Sequence, residues 1–427
     1  MPASKNRHHS SGTITEPLSV DEIRPYHNFA PFVRQTGESK AQTRANEILQ
    51  HLPRVGRCFE VSAGRIIGLS RESEVAMKYA LRLFALVAAV SVGATHAQTA
   101  ALRVEKTIVS KSTFGSNDTL AGTGQCDSSG NIYVRVFDPV NSHQGSPVLM
   151  FDNAGALQTK FAGPHRAELQ EGRFEFAFAV VPRGGIAVAD WNYPDIHVVT
   201  FSPDGKVESD VQLDFARFVP YQLAVFPSGE LFLSGIEDSN RDHPYRYKSF
   251  AAIYDKTGHL KKRLVLNGDE EIDRAIELGD SRYASFGPSN GNSAAAFGIA
   301  ATGEDGNVYL VRRTSPAIVY VVSSAGEVVR KVVVEPQTSG DMPFEMQLAK
   351  GKLAFVFDGW TGSRSSGNSK LTIVDASNGE RLVDFEGGVA GVGWFFGLSC
   401  YAPDSGAFTF LRMSHARHVE IITARRK

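Results

Sequence analysis

One pattern recurs six times between Gly122 and Met413: a short apolar strand, a tight glycine turn and a second strand rich in β-branched and aromatic residues. The copies are "GTGQCDSSGNIYVRV" from Gly122, "FAFAVVPRGGIAVAD" from Phe176, "PYQLAVFPSGELFLSG" from Pro220, "AFGIAATGEDGNVYLVRR" from Ala296, "FEMQLAKGKLAFVFD" from Phe344 and "FFGLSCYAPDSGAFTFLRM" from Phe395. Five of them continue into a second hairpin with its own polar-plus-glycine turn: "LMFDNAGALQTKF", "VVTFSPDGKVESDV", "AAIYDKTGHLKKRL", "YVVSSAGEVVRKVVV" and "LTIVDASNGERLVDF". Each unit therefore reads as four strands.

A four-stranded unit recurring at about 40 to 60 residues, as in four of these five intervals, is the sequence signature of a β-propeller blade, whose apolar faces are buried on its neighbours. The expected fold is all-β, a six-bladed β-propeller of four-stranded blades. The sixth unit lacks a strand, because "HVEIITARRK" supplies its third and the chain then stops. The unassigned alternating segment "LRVEKTIVS" from Leu102 is expected to fill that place, pairing Val104–Ile108 with Val419–Thr423 and closing the ring.

The stretch "GGIAVADWNYPDIHVVTFSPDGKV", Gly184 to Val207, resembles the NHL repeat in its glycine turn, its Val-Ala-Asp strand end and its Asp-Gly turn. "GNVYLVRRTSPAIVYVVSSAGEVV" and "GNIYVRVFD" are partial matches, the former with Arg312 and Arg313 where the family's Asp would stand. The resemblance implies a six-bladed ring of the NHL-repeat-like type. It implies no particular activity, since propellers share this rhythm across unrelated functions.

Connection length separates the two ends of such a ring. Turns between strands one and two, and three and four, are minimal: "SSGN", "PRGG", "PSGE", "EDGN", "PDGK", "KTGH", "SAGE". Connections at the opposite end are long, among them "DPVNSHQGS", "GIEDSNRDHPYRYKS", "DGWTGSRSSGNS" and "NGDEEIDRAIELGDSRYASFGPSNGNS". Length tolerated at one end of a rigid scaffold is the pattern of a binding surface. Candidate ligand-binding residues there are Trp191, Tyr193, Arg241, His243, Tyr245, Arg312, Trp360, Arg364 and Trp394, with Tyr247 and Arg313 beside them. Aromatic and Arg side chains offer large contact area with a polar handle.

Asp138, Asp190, Asp238 and Asp358 fall near the same rim, where converging carboxylates would suit calcium. Local turn hydrogen bonding explains them equally well. The Gly-rich run "GGVAGVG" precedes a strand and not a helix, so it offers no phosphate cradle. HExxH and CxxC are absent, no GxSxG nucleophile elbow is assigned, and no catalytic residue, metal ligand set or cofactor is assigned.

"MKYALRLFALVAAVSVGATHAQ" from Met77 has two cations, a short apolar core and small residues before Gln98, the build of a signal peptide cut after Ala97. Residues 77–97 are read as that signal, 98–427 as the propeller, and the polar residues 1–76 as a disordered extension or a misplaced gene start. Residues 1–97 carry four more positive than negative charges, so the remainder is −5. That charge, without a basic stripe, argues against nucleic acid. Cys126 and Cys400 remain after processing, at comparable places in neighbouring blades. Facing sheets lie about 10 Å apart, more than the ~7 Å a disulfide tolerates, so the bond is left open.

The resulting expectation is a monomeric exported protein, periplasmic or extracellular, with no membrane span after cleavage. Its partner would be a protein, peptide or glycan held without catalysis. The alternative is a calcium-dependent lactonase-type hydrolase, since that family also builds six blades around a metal.

Overall fold

The computed structural model describes residues 98–116, 118–137, 147–162, 177–192, 195–215, 218–238, 247–266, 299–359, 369–389 and 397–427. The chain divides between Gly93 and Ala94, and all described residues lie in the unit Ala94–Lys427. The segments read as extension and signal, 1–76 and 77–97, fall outside them.

Regular structure among the described residues is strand alone. β1 (Gln98–Val109) comes first, followed by β2 (Thr119–Cys126), β3 (Ile132–Phe137), β4 (Val148–Phe151) and β5 (Leu157–Phe161). Next are β6 (Phe178–Val180), β7 (Ile186–Asn192), β8 (Asp195–Phe201) and β9 (Val207–Gln212), then β10 (Phe218–Val225), β11 (Leu231–Asp238), β12 (Tyr247–Tyr254) and β13 (Leu260–Arg263). The chain continues through β14 (Ile299–Thr302), β15 (Val308–Arg312), β16 (Ala317–Val322) and β17 (Val328–Val334), and β18 (Met342–Ala349), β19 (Lys352–Asp358), β20 (Lys370–Asp375) and β21 (Arg381–Val389). It ends with β22 (Leu398–Ala402), β23 (Ala407–Met413) and β24 (Val419–Arg426).

These strands build a propeller-like ring of antiparallel four-stranded sheets, and the count of separate sheets corrects the sequence reading. Four four-stranded sheets stand alone, β2–β5, β6–β9, β10–β13 and β14–β17, where six were expected. The remaining eight strands are hydrogen-bonded into one sheet in the order β18-β19-β20-β21-β1-β24-β23-β22. The cause is the length of β1, 12 residues, which lets it pair on both sides. Its first residues run parallel to β21, matching Gln98 to Val383, Ala100 to Phe385 and Leu102 to Val389. Its later residues run antiparallel to β24, matching Val104 to Ala424, Thr107 to Ile422 and Ile108 to Ile421. The expected pairing of Val104–Ile108 with the last strand is present, and a second pairing fuses what would otherwise be two sheets.

Turn chemistry fixes the hairpins. Asp127 accepts hydrogen bonds from Ser129 N and Asn131 N, both 2.9 Å, and from Tyr133 OH, while Asp305 repeats the arrangement with Asn307 and Tyr309. Gly258 has φ of 90°, and a side chain there would also collide with the Gln212 carbonyl. The buried apolar residues form clusters between adjacent sheet faces. Tyr133, Phe161, Val188 and Phe201 join the β2–β5 and β6–β9 sheets, for example, while Leu102, Val356, Phe408 and Ile422 fill the space across the fused sheet. Burial on both faces explains strands such as β15, VYLVR, that are buried throughout.

Candidate functional site

Six strands, β2, β6, β10, β14, β18 and β22, are first in their hairpin series and stand in a closed circle, each touching the next. They enclose a cavity of about 1610 Å³. Small residues keep it open: Gly124, Ala177, Ala179, Ala224, Ala300 and Ala301 all belong to its wall.

Side chains sew these strands to one another where no backbone ladder runs. Gln125 Nε2 donates to Phe178 O at 3.0 Å and its Oε1 accepts from Val180 N at 2.9 Å, joining β2 to β6. Thr302 Oγ1 donates to Val225 O at 2.9 Å, joining β14 to β10. Gln347 Nε2 donates to Gly124 O and Leu398 O, tying β18 to both β2 and the start of β22. A disulfide between Cys126 and Cys400 crosses from β2 to β22, with Cα atoms 5.6 Å apart. The 10 Å spacing used for the sequence argument applies between sheet faces, whereas innermost strands converge on the axis. Gly124 permits that approach, because a Cβ there would overlap the Ser399 side chain.

The innermost strands also carry bulges. The ladder of β10 slips between Pro220 and Gln222, that of β18 between Pro343 and Glu345, and that of β22 between Leu398 and Cys400. The residues skipped are Tyr221, Phe344 and Ser399, and all three line the cavity. A bulge re-aims one side chain out of the sheet's alternation. Here two of the three are aromatic, and Phe344 remains 37% exposed.

Beside Phe344 lies a charged pair. Glu345 is 5% exposed, and its two carboxylate oxygens accept hydrogen bonds from Gly397 N at 2.9 Å and Leu398 N at 2.7 Å. Burial pushes its carboxyl up to about 7, outweighing those bonds and the attraction of Arg313. Arg313 Nε donates to Pro343 O at 3.1 Å, and the guanidinium lies 5.1 Å from the Phe344 ring centre. Desolvation brings the Arg313 pKa down to about 10, with Glu345 acting in the opposite sense. β18 starts at the end of the ring where the long connections join, so the pair and the bulged aromatics sit at that mouth of the cavity. Other charged wall residues, Asp127, Arg183, Glu304, Lys350 and Asp404, belong to the turns at the far mouth.

The sequence candidates divide accordingly. Tyr193, Arg241, His243, Tyr245, Trp360, Arg364 and Trp394 lie outside the described residues. Trp191 falls within β7 and Tyr247 opens β12, with only their backbone described. Arg312 is packed inside, 2% exposed with its guanidinium 5.4 Å from the Tyr320 ring, and is not part of the cavity wall. Its neighbour Arg313 is. Of the rim carboxylates, Asp190 and Asp358 are buried, Asp238 ends β11, and Asp138 is outside the described residues. No group of three or more His, Cys, Asp or Glu side chains suited to a metal occurs among the described residues. Glu345, Phe344 and Tyr221 were missed by sequence reasoning as site residues; a Glu inside the innermost strand "FEMQLA" was the available signal.

No protein family model matches the chain, and no curated protein matches it. Solved structures do. A protein of unknown function from Bacteroides caccae is similar at a TM-score of 0.39 and 15% identity, over 62% of this chain and 80% of its own. A member of the DUF4221 family from Bacteroides vulgatus is similar at a TM-score of 0.45 and 9% identity, over 76% of this chain and 98% of its own. A third comes from work on two prolyl endopeptidases, with a TM-score of 0.36 and 13% identity over 73% of this chain, which spans 42% of that longer protein.

Proposed function

We propose that this chain is an exported, non-catalytic binding protein, a monomer whose ring counts as six four-stranded modules in the manner of NHL-type propellers. On that count β18–β21 and β22–β24 with β1 are two modules clasped at their outer edges. The ligand, a protein, peptide or glycan, is held at the end where the long connections meet the cavity. Periplasmic or extracellular residence follows from the signal-like segment at 77–97.

The observation that carries this reading is the asymmetry of the two ends. Every strand-one-to-two and strand-three-to-four connection described is a tight turn, such as Asp152–Ala156, Ser202–Lys206 and Ser323–Glu327. The longer joins, 239–246, 267–298 and 360–368 among them, all leave from the other end, where the bulged aromatics and the Arg313–Glu345 pair lie. A rigid ring bearing variable loops and a concave mouth is what recognition uses.

A peptide and glycan array probed with the purified full chain tests it. Trp360→Ala and Trp394→Ala should weaken any captured ligand while leaving the melting temperature nearly unchanged. Equal loss of melting temperature and binding would assign both residues to packing, and an array with no captured ligand would remove the binding role.

A further inference from the structure

We infer that the Cys126–Cys400 bond is a redox switch of the cavity wall: a dithiol reduces it in the folded protein, and reduction loosens β2 against β22 while the ring stays closed. The switch works whatever the loop end binds.

The bond is within reach of solvent without unfolding. Cys126 and Cys400 are both partly exposed, and both line the cavity. Each lies close to a tight turn at the end away from the long connections. Cys126 directly precedes the turn in which Gly130 N donates to Asp127 O, and Cys400 comes shortly before the turn in which Gly406 N donates to Pro403 O. Ser128, Ser129 and Gly130 are exposed, so the turn beside Cys126 is open to a reagent. Buried structural disulfides are inert, whereas exposed ones exchange with thiols. One thiolate of the dithiol attacks a bridge sulfur, and the other protein sulfur leaves with the S–S electron pair and takes up a proton. The second thiolate of the dithiol then displaces the first protein sulfur. The protein has gained two electrons and two protons, and the dithiol has become a cyclic disulfide.

Closure of the ring does not hang on this bond. β1 pairs with β24 from Leu102 to Val109, and a cluster that includes Val134, Phe151, Leu411 and Ile421 joins the first and last hairpin series. The inner wall at β2 is less well held. Its ladder with β3 matches Ala121 to Arg135, then slips, and resumes only with Gln125 opposite Tyr133. Residues 122–124 therefore have no matched partners on β3. Gln125 ties the next residue of β2 to β6. On the side of the last hairpin series, two links among the described residues remain: the Gln347 amide on Gly124 O and the bridge at Cys126. Reduction removes the covalent one, and the stretch it frees is cavity wall.

Reduction kinetics of the purified full chain, with Cys58 alkylated beforehand, test access to the bond. The rate of reduction by dithiothreitol should rise in proportion to the reductant and stay constant within about twofold through sub-denaturing urea. A rate that climbs with urea as steeply as global unfolding would mean that the bond is reached only in the unfolded chain, and would overturn the switch. Hydrogen exchange tests the consequence. The ratio of exchange rates in β2 to those in β24 should rise about tenfold or more on reduction. Paired Cys126→Ser and Cys400→Ser substitutions should show the raised ratio without reductant and no further response to it. Acceleration of β2 and β24 by the same factor would show that reduction lowers global stability alone, and would overturn the switch as well.

Discussion

Gln347 and Gly124 are 223 residues apart in the chain, yet the Gln347 amide donates to the Gly124 carbonyl at 3.1 Å and to Leu398 O at 3.0 Å. One side chain thus holds three innermost strands, at the place where the first and last hairpin series meet. Gln347→Ala removes both bonds and should lower unfolding free energy by about 1–2 kcal/mol in urea titrations. Gln222→Ala is the control: Gln222 also lines the cavity but makes no such bond among the described residues, so its loss should stay within about 0.5 kcal/mol.

The Cys126–Cys400 bridge closes the same seam across 274 residues of sequence. Paired Cys126→Ser and Cys400→Ser substitutions should cost about 2–4 kcal/mol. Denaturation with and without reductant checks this: the midpoint of the parent should fall under reduction to that of the double variant, and the variant should not respond.

Glu345 gives the ring a pH dependence of defined sign. Its carboxyl titrates at about 7 in the folded protein, above the ordinary 4.5, so folding favours the protonated form. That stabilisation is complete below about 4.5 and is lost as pH rises through 7, an effect of order 1–3 kcal/mol. Melting temperature should therefore fall between pH 5 and pH 8, and Glu345→Gln should flatten that slope. The turn carboxylates Asp204 and Asp255, held down at about 2 by their Ser, Thr and Lys neighbours, act below this window and leave it clean.

β1 is a clasp with two partners. Lys106 lies in the part paired with β24, opposite Thr423, and Lys106→Pro introduces a residue that interrupts the ladder. The expected outcome is exposure of the β21 and β24 edges and concentration-dependent light scattering at temperatures where the parent stays clear. A variant as monodisperse and as heat-stable as the parent would contradict it.

How far the sequence could be read depended on how local each signal was. The Asp127 and Asp305 turns and the glycines of the hairpins were legible because their chemistry involves only a few consecutive residues. The pairing of β1 with β24 was legible by counting strands and finding one short. Its second pairing with β21 was not, since a missing strand predicts one partner and says nothing of the parallel neighbour. Bulges at Tyr221 and Phe344 depend on register against a partner strand, which a single sequence does not carry. Cys126 and Cys400 were placed correctly along their strands, but the spacing between sheet faces hid how closely Gly124 lets the inner strands approach.

Native-state hydrogen exchange followed residue by residue through β1 and β24 tests the closed ring most directly. The amides between Val104 and Val109 that point at β24 should exchange as slowly as those of Ile421 and Ile422, opening with the global unfolding free energy. Rapid exchange throughout β1 beside a protected β24 would mean that the termini do not close the ring.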